Sequence, residues 1–70
     1  MNIQSPSDLG KAVRAARRAA GVRQQDLAGV AGVGERFIVE LEAGKPTIQL
    51  GKLLQVIAAL GHSLSIDVEP

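Results

Sequence analysis

The sequence predicts a mainly α domain of four helices, followed by one C-terminal strand that pairs between the subunits of a dimer. Three observations carry that prediction. Apolar residues recur at helical spacing in four separate segments. Each segment runs into a glycine, at Gly21, Gly32, Gly44 and Gly61, the residue type that ends helices most readily. After Gly61 the period changes from helical to strict alternation, the mark of a half-buried strand.

The first helix covers about residues 6–20. Ser5 is a good N-cap, Pro6 suits the first helical position, and Asp8 favours the positive end of the helix dipole. Leu9, Val13, Ala16 and Ala20 share the inward face. Lys11, Arg14 and Arg18 fall on the opposite stripe, and Arg17 lies beside the apolar face. The second helix, QQDLAGVA at 24–31, turns Leu27, Ala28 and Ala31 inward. The third, ERFIVELE at 35–42, starts after Gly34 and stops before Gly44. The fourth, at 50–60, is expected to place Leu50, Leu53, Leu54, Ile57 and Leu60 on one face.

In the tail HSLSIDVE, Leu64, Ile66 and Val68 alternate with polar residues. A lone strand leaves backbone groups unpaired, and the simplest partner is the same strand of a second subunit. Residues 1–61 thus read as the helical domain and 62–70 as a dimerisation strand, with Leu64, Ile66 and Val68 at the interface.

Composition narrows the function. Seventy residues, 46% of them apolar, make one small core, and so short a chain gains stability by association. There is no cysteine and a single histidine, His62, so neither a disulfide nor a metal cluster is expected and no cofactor is implied. No apolar run approaches the ~20 residues that span a bilayer, and no signal-peptide pattern opens the chain, so the expected location is the cytoplasm, away from membranes. Ser63 and Ser65 have no accompanying base, and no acid–base constellation is visible, which argues against an enzyme. The net charge is only +1, but Lys11, Arg14, Arg17, Arg18 and Arg23 concentrate in residues 1–25 against Asp8, where a polyanion is felt most.

The spacing within residues 24–41 is the most informative feature. Two short helices joined by a three-residue, glycine-containing turn form a helix-turn-helix pattern. Ala28 must be small where the second helix crosses it, and Gly32 permits the positive φ of the turn. Val33, Ile38 and Leu41 lock the crossing by packing inward.

With RRAAGVRQQDLAGVAGVGERFIVELEAGK followed by LLQVIAALG, the chain resembles the Xre or lambda-repressor-like family of helix-turn-helix regulators. The strand-like tail makes it most similar to HipB-type antitoxins, small dimeric repressors whose C-terminal strands pair between subunits. The resemblance implies a homodimer on a palindromic double-stranded DNA operator, a HipA-like kinase toxin as protein partner, and repression of its own operon. A stand-alone regulator of the same family, and an interaction adaptor without DNA binding, are the alternatives.

The resemblance also implies residue roles. Gln24 matches a phosphate-contacting glutamine at the start of the second helix, flanked by Arg23 and Gln25, and Lys45 matches a second backbone contact. Gly34, Glu35, Arg36 and Glu40 match positions facing base edges, and Arg17 with Glu42 matches a partly buried ion pair between the first and third helices. Relatives usually carry Thr where Arg23 stands, so a helix cap is expected to be lost there and a cation gained. Read from the residues, Arg36 suits guanine and Val39 either a thymine methyl or solvent. Glu40 either pairs with Arg36 along the helix or accepts from cytosine N4, and Glu35 also suits the helix dipole. Phe37 is expected to pack against a neighbouring helix or at a subunit contact rather than on a base.

Overall fold

The computed structural model describes residues 2–66, which form α1 (Pro6–Ala19), α2 (Gln24–Ala31), α3 (Glu35–Glu42) and α4 (Leu50–Ala59). At the start of α1, Ser5 Oγ accepts from the Asp8 N–H at 3.0 Å, and the Asp8 carboxylate accepts from the Gln4 N–H at 3.1 Å. α3 packs on both α1 and α2, and α2 packs on α4. Ile38, Leu41 and Val56 are fully enclosed, ringed by Val13, Leu27, Ala28, Ala31, Leu53 and Ile57. No helix among the described residues is long and apolar enough to cross a membrane.

Two expectations change, and the inter-subunit strand is not formed by the described residues of one chain. The buried stripe of α4 is Leu53, Val56 and Ile57, whereas Leu50 and Leu54 are exposed, at 60% and 45%. Helical period alone allows several overlapping apolar stripes on LGKLLQVIAAL, and the crossing with α2 selects among them. Ala20 is exposed although its backbone still holds helical angles as the C-cap of α1. Residues 62–66 form no strand; they are exposed, Leu64 and Ile66 included, and Val68 lies outside the described residues. A strand needs a partner ladder, and the described residues of one chain supply none.

Phe37 is half-buried against the core, and the Lys52 ammonium of α4 sits 5.9 Å from its ring centroid. Leu9, Ala16, Ile57, Leu60 and Leu64 line an open, largely apolar groove of about 580 Å³ beside α1 and the end of α4.

Candidate nucleic-acid interface

The turn between α2 and α3 is Gly32–Val33–Gly34. Gly32 adopts φ 74°, and the N–H groups of Gly32 and Val33 both donate to the Ala28 carbonyl at 3.0 Å. That left-handed residue lets the chain reverse direction within one turn and start α3 at Glu35. Ala28 is buried under the crossing, with Ile38 and Leu41 closing it from α3. α3 begins without a side-chain cap at Gly34, so its first amide groups stay open for other acceptors.

At the start of α2 the side-chain cap is lost, as the arginine implies. An arginine has no acceptor for the orphan amides, but the reverse half of a capping box forms: the Arg23 N–H donates to Asp26 Oδ2 at 3.2 Å. The Arg23 guanidinium then folds onto the same carboxylate at 3.1 and 3.3 Å. Both groups are exposed, and the guanidinium hydrogen bonds hold the Asp26 carboxyl below its ordinary range. Gln24 is half-buried and donates its side-chain amide to Glu42 Oε1 at 3.2 Å, while Gln25 is exposed.

Gly34, Glu35, Arg36 and Val39 are exposed together on the solvent side of α3. Arg36 is 91% exposed, with Nε 3.6 Å from Glu40 Oε1 one turn on. The other Glu40 oxygen receives Lys45 Nζ at 2.7 Å. Hydrogen bonding from Lys45, with the Lys45 and Arg36 charges adding, holds the Glu40 carboxyl below the usual range. The helix end aims Lys45 at this carboxylate. Gly44 at φ 85° lets the Gly44 N–H reach the Leu41 carbonyl and the Lys45 N–H reach the Glu40 carbonyl, both at 3.1 Å.

Behind this face, Arg17 and Glu42 tie α1 to α3. Arg17 donates through Nε and Nη2 to the two carboxylate oxygens at 2.7 and 3.0 Å, and through Nη1 to the Val22 carbonyl at 2.9 Å. The Glu42 side chain is only 4% exposed and that of Arg17 11%, so the pair is a part-buried bidentate fork. The Glu42 hydrogen bonds raise the Arg17 pKa further above its ordinary value and keep the guanidinium charged. Gln24 joins the same carboxylate, which links the start of α2 to the end of α3.

Sequence reasoning missed Gly10. It is buried in mid-α1, and a Cβ built there would lie 2.5 Å from the Leu41 carbonyl oxygen and 2.8 Å from that of Glu42. The available signal was a glycine inside an otherwise well-capped helix, where glycine is costly unless something must approach closely.

Two crossed short helices with an exposed second helix, steadied from behind by a third, define a helix-turn-helix domain. A sequence profile described as the helix-turn-helix domain matches residues 8–65, and the chain belongs to that family. It is 59% identical over 64 residues to the uncharacterized HTH-type transcriptional regulator y4mF of Sinorhizobium fredii (strain NBRC 101917 / NGR234), covering 91% of this chain and 84% of that one. In fold it is similar to a chain of the HipA-HipB-O2-O3 complex, with a TM-score of 0.88 at 23% identity over 100% of this chain and 99% of that one. A chain of a toxin-antitoxin module from Streptococcus pneumoniae matches with a TM-score of 0.72 at 31% identity, covering 90% of this chain and 74% of that one.

Proposed function

We propose that this chain is a sequence-specific, DNA-binding transcriptional repressor that acts as a homodimer on a palindromic operator. The observation that carries the reading is the exposed face of α3, Gly34, Glu35, Arg36 and Val39, mounted on a helix-turn-helix crossing whose core side is closed. In this reading α3 enters the major groove and Arg36 takes a guanine edge, a contact worth ~1–3 kcal/mol of discrimination. Gln24, with Arg23 and Gln25 beside it, and Lys45 meet phosphates on either side of the groove. Gln24 has a second amide N–H beyond the one given to Glu42, and that is the donor it offers a phosphate oxygen. The similarity to a protein named a transcriptional regulator supports this class.

The dimer forms through the C-terminal segments. Leu64 and Ile66 are exposed, Leu64 at the rim of an apolar groove, a poor arrangement for a solitary chain and a ready one for pairing with a second copy. With Val68 they line the joint, and the two reading helices meet half-sites about 34 Å apart. An Ile66→Asp chain should sediment as a monomer and lose operator binding; a dimer that persists would remove this part of the proposal.

The finer assignment is antitoxin of a HipBA-like system, repressing its own operon in the cytoplasm and binding a HipA-like kinase toxin. It is supported by the likeness in fold to a chain of the HipA-HipB-O2-O3 complex and to a chain of a toxin-antitoxin module. A protein adaptor that never touches DNA is the second reading, and the net charge of only +1 favours it. The deciding experiment is a footprint on DNA upstream of the chain's own gene, with wild type and Arg36→Ala at several salt concentrations. Salt-dependent protection that Arg36→Ala removes supports the repressor; no protection by the wild type favours the adaptor.

A further inference from the structure

The two cations offered to DNA along α3, Arg36 in its first turn and Lys45 just past its end, both face the same carboxylate. Lys45 Nζ lies 2.7 Å from one oxygen of Glu40, and Arg36 Nε lies 3.6 Å from the other. The helix end favours this arrangement, because the Lys45 backbone N–H is tied to the Glu40 carbonyl and the left-handed turn at Gly44 keeps the two residues together. A phosphate arriving at Lys45 therefore meets a carboxylate already seated there.

We infer that Glu40 is a specificity-determining residue that acts as an intramolecular competitor of phosphate, weakening contact with non-cognate DNA more than with the operator. The inference rests on the DNA-binding reading above. Its logic is an exchange. On any duplex, Lys45 gains a phosphate only by giving up Glu40, so the net attraction from sequence-independent contacts is small. On the right sequence Lys45 makes the same exchange, but the released Glu40 keeps its place beside Arg36, now at a base edge one helical turn away, and steadying that guanidinium offsets the loss. The cost of displacing Glu40 thus falls mainly on backbone-driven binding. For a protein with only eight lysines and arginines against seven carboxylates, suppressing non-specific binding in this way also keeps the operator from competing with the whole chromosome.

The test compares wild type, Glu40→Gln, Lys45→Ala and the double variant on two duplexes: the footprinted promoter segment and a scrambled segment of equal length. Binding is titrated at several salt concentrations. Glu40→Gln should bind the scrambled duplex about tenfold more tightly at low salt, with the slope of log K against log salt steeper by about 0.9 for the one phosphate contact released. Promoter affinity should change less, so the specificity ratio falls. In the Lys45→Ala background the same Glu40→Gln change should have little effect, because the coupling runs through Lys45. A Glu40→Gln effect equal in both backgrounds would reduce the inference to a change of overall charge and overturn it. Loss of promoter affinity with scrambled binding unchanged would also overturn it, making Glu40 a reader of cytosine. If the wild type binds neither duplex, the repressor reading itself fails, and the inference falls with it.

Discussion

Replacing Gly10 by alanine sets two physical effects of opposite sign against each other. Helix propensity alone favours the change by about 1 kcal/mol, since alanine is the best helix former and glycine among the worst. The packing opposes it. The new Cβ would stand 2.5 Å from the Leu41 carbonyl oxygen, 2.8 Å from the Glu42 oxygen and 3.1 Å from the Glu42 carbonyl carbon. Relaxed C···O contacts lie near ~3.3 Å, so α1 and α3 must part by roughly 0.8 Å. All three obstructing atoms are backbone, and no side-chain rotation relieves the clash. Overpacking of this kind costs about 1–3 kcal/mol. With rigid neighbours the upper end applies, which leaves a net loss of about 2 kcal/mol after the propensity gain.

In a domain of this size that loss lowers Tm by roughly 8–16 °C. Gly29→Ala is the matched control: it is exposed, mid-helix, and a Cβ there meets nothing within 4 Å. Only the propensity effect acts on it, so it should stabilise by about 0.5–1 kcal/mol. The assay is thermal and urea unfolding followed by circular dichroism, at one protein concentration because association would shift Tm. Gly10→Ala and Gly29→Ala moving in the same direction would refute the close-approach argument.

Two further outcomes follow from the ion pairs. Glu42→Ala leaves the Arg17 guanidinium, 11% exposed, without its anion and Gln24 without its acceptor, so it should cost about 3 kcal/mol; a urea midpoint within error of wild type would contradict the part-buried fork. Glu40 has a folded pKa below its ordinary 4.5, so its small contribution to stability is present above about pH 4.5 and is lost as the pH falls through the lower folded value. Carbon-13 titration should therefore place the Glu40 midpoint below 4.5 and move it upward in Lys45→Ala, where the main cause of the depression is gone; an unmoved midpoint would remove the Lys45 contact from solution.

Much of the helical frame can be read without coordinates because its causes are local. Ser5 and Asp8 cap α1 three residues apart, and Gly32 and Gly44 reverse the chain within one turn of the helices they end. Such signals act between near neighbours in sequence, so spacing and residue type expose them. The tail shows where that reasoning stops. Alternation in Leu64 and Ile66 describes a face, but pairing depends on a partner backbone that the described residues do not contain. The reading face is intermediate: exposure of Arg36 and Val39 follows from the inward pull of Ile38 and Leu41, while the tie from Lys45 to Glu40 does not.

What the amino-acid order settled for this chain was the set of helices, their caps and the small residue at the α2–α3 crossing. The crossings themselves settled the rest. They buried Val56 in place of Leu50 and Leu54, because Val56 lies on the side of α4 that packs against the core. They brought Arg17 against Glu42 across 25 positions of sequence, a contact that family resemblance implied but no local pattern encodes. They also gave Gly10 its meaning, since the reason for a missing side chain lies in the backbone of another helix. Period and capping specify which way one helix faces; distances between helices follow only when every face is satisfied at once.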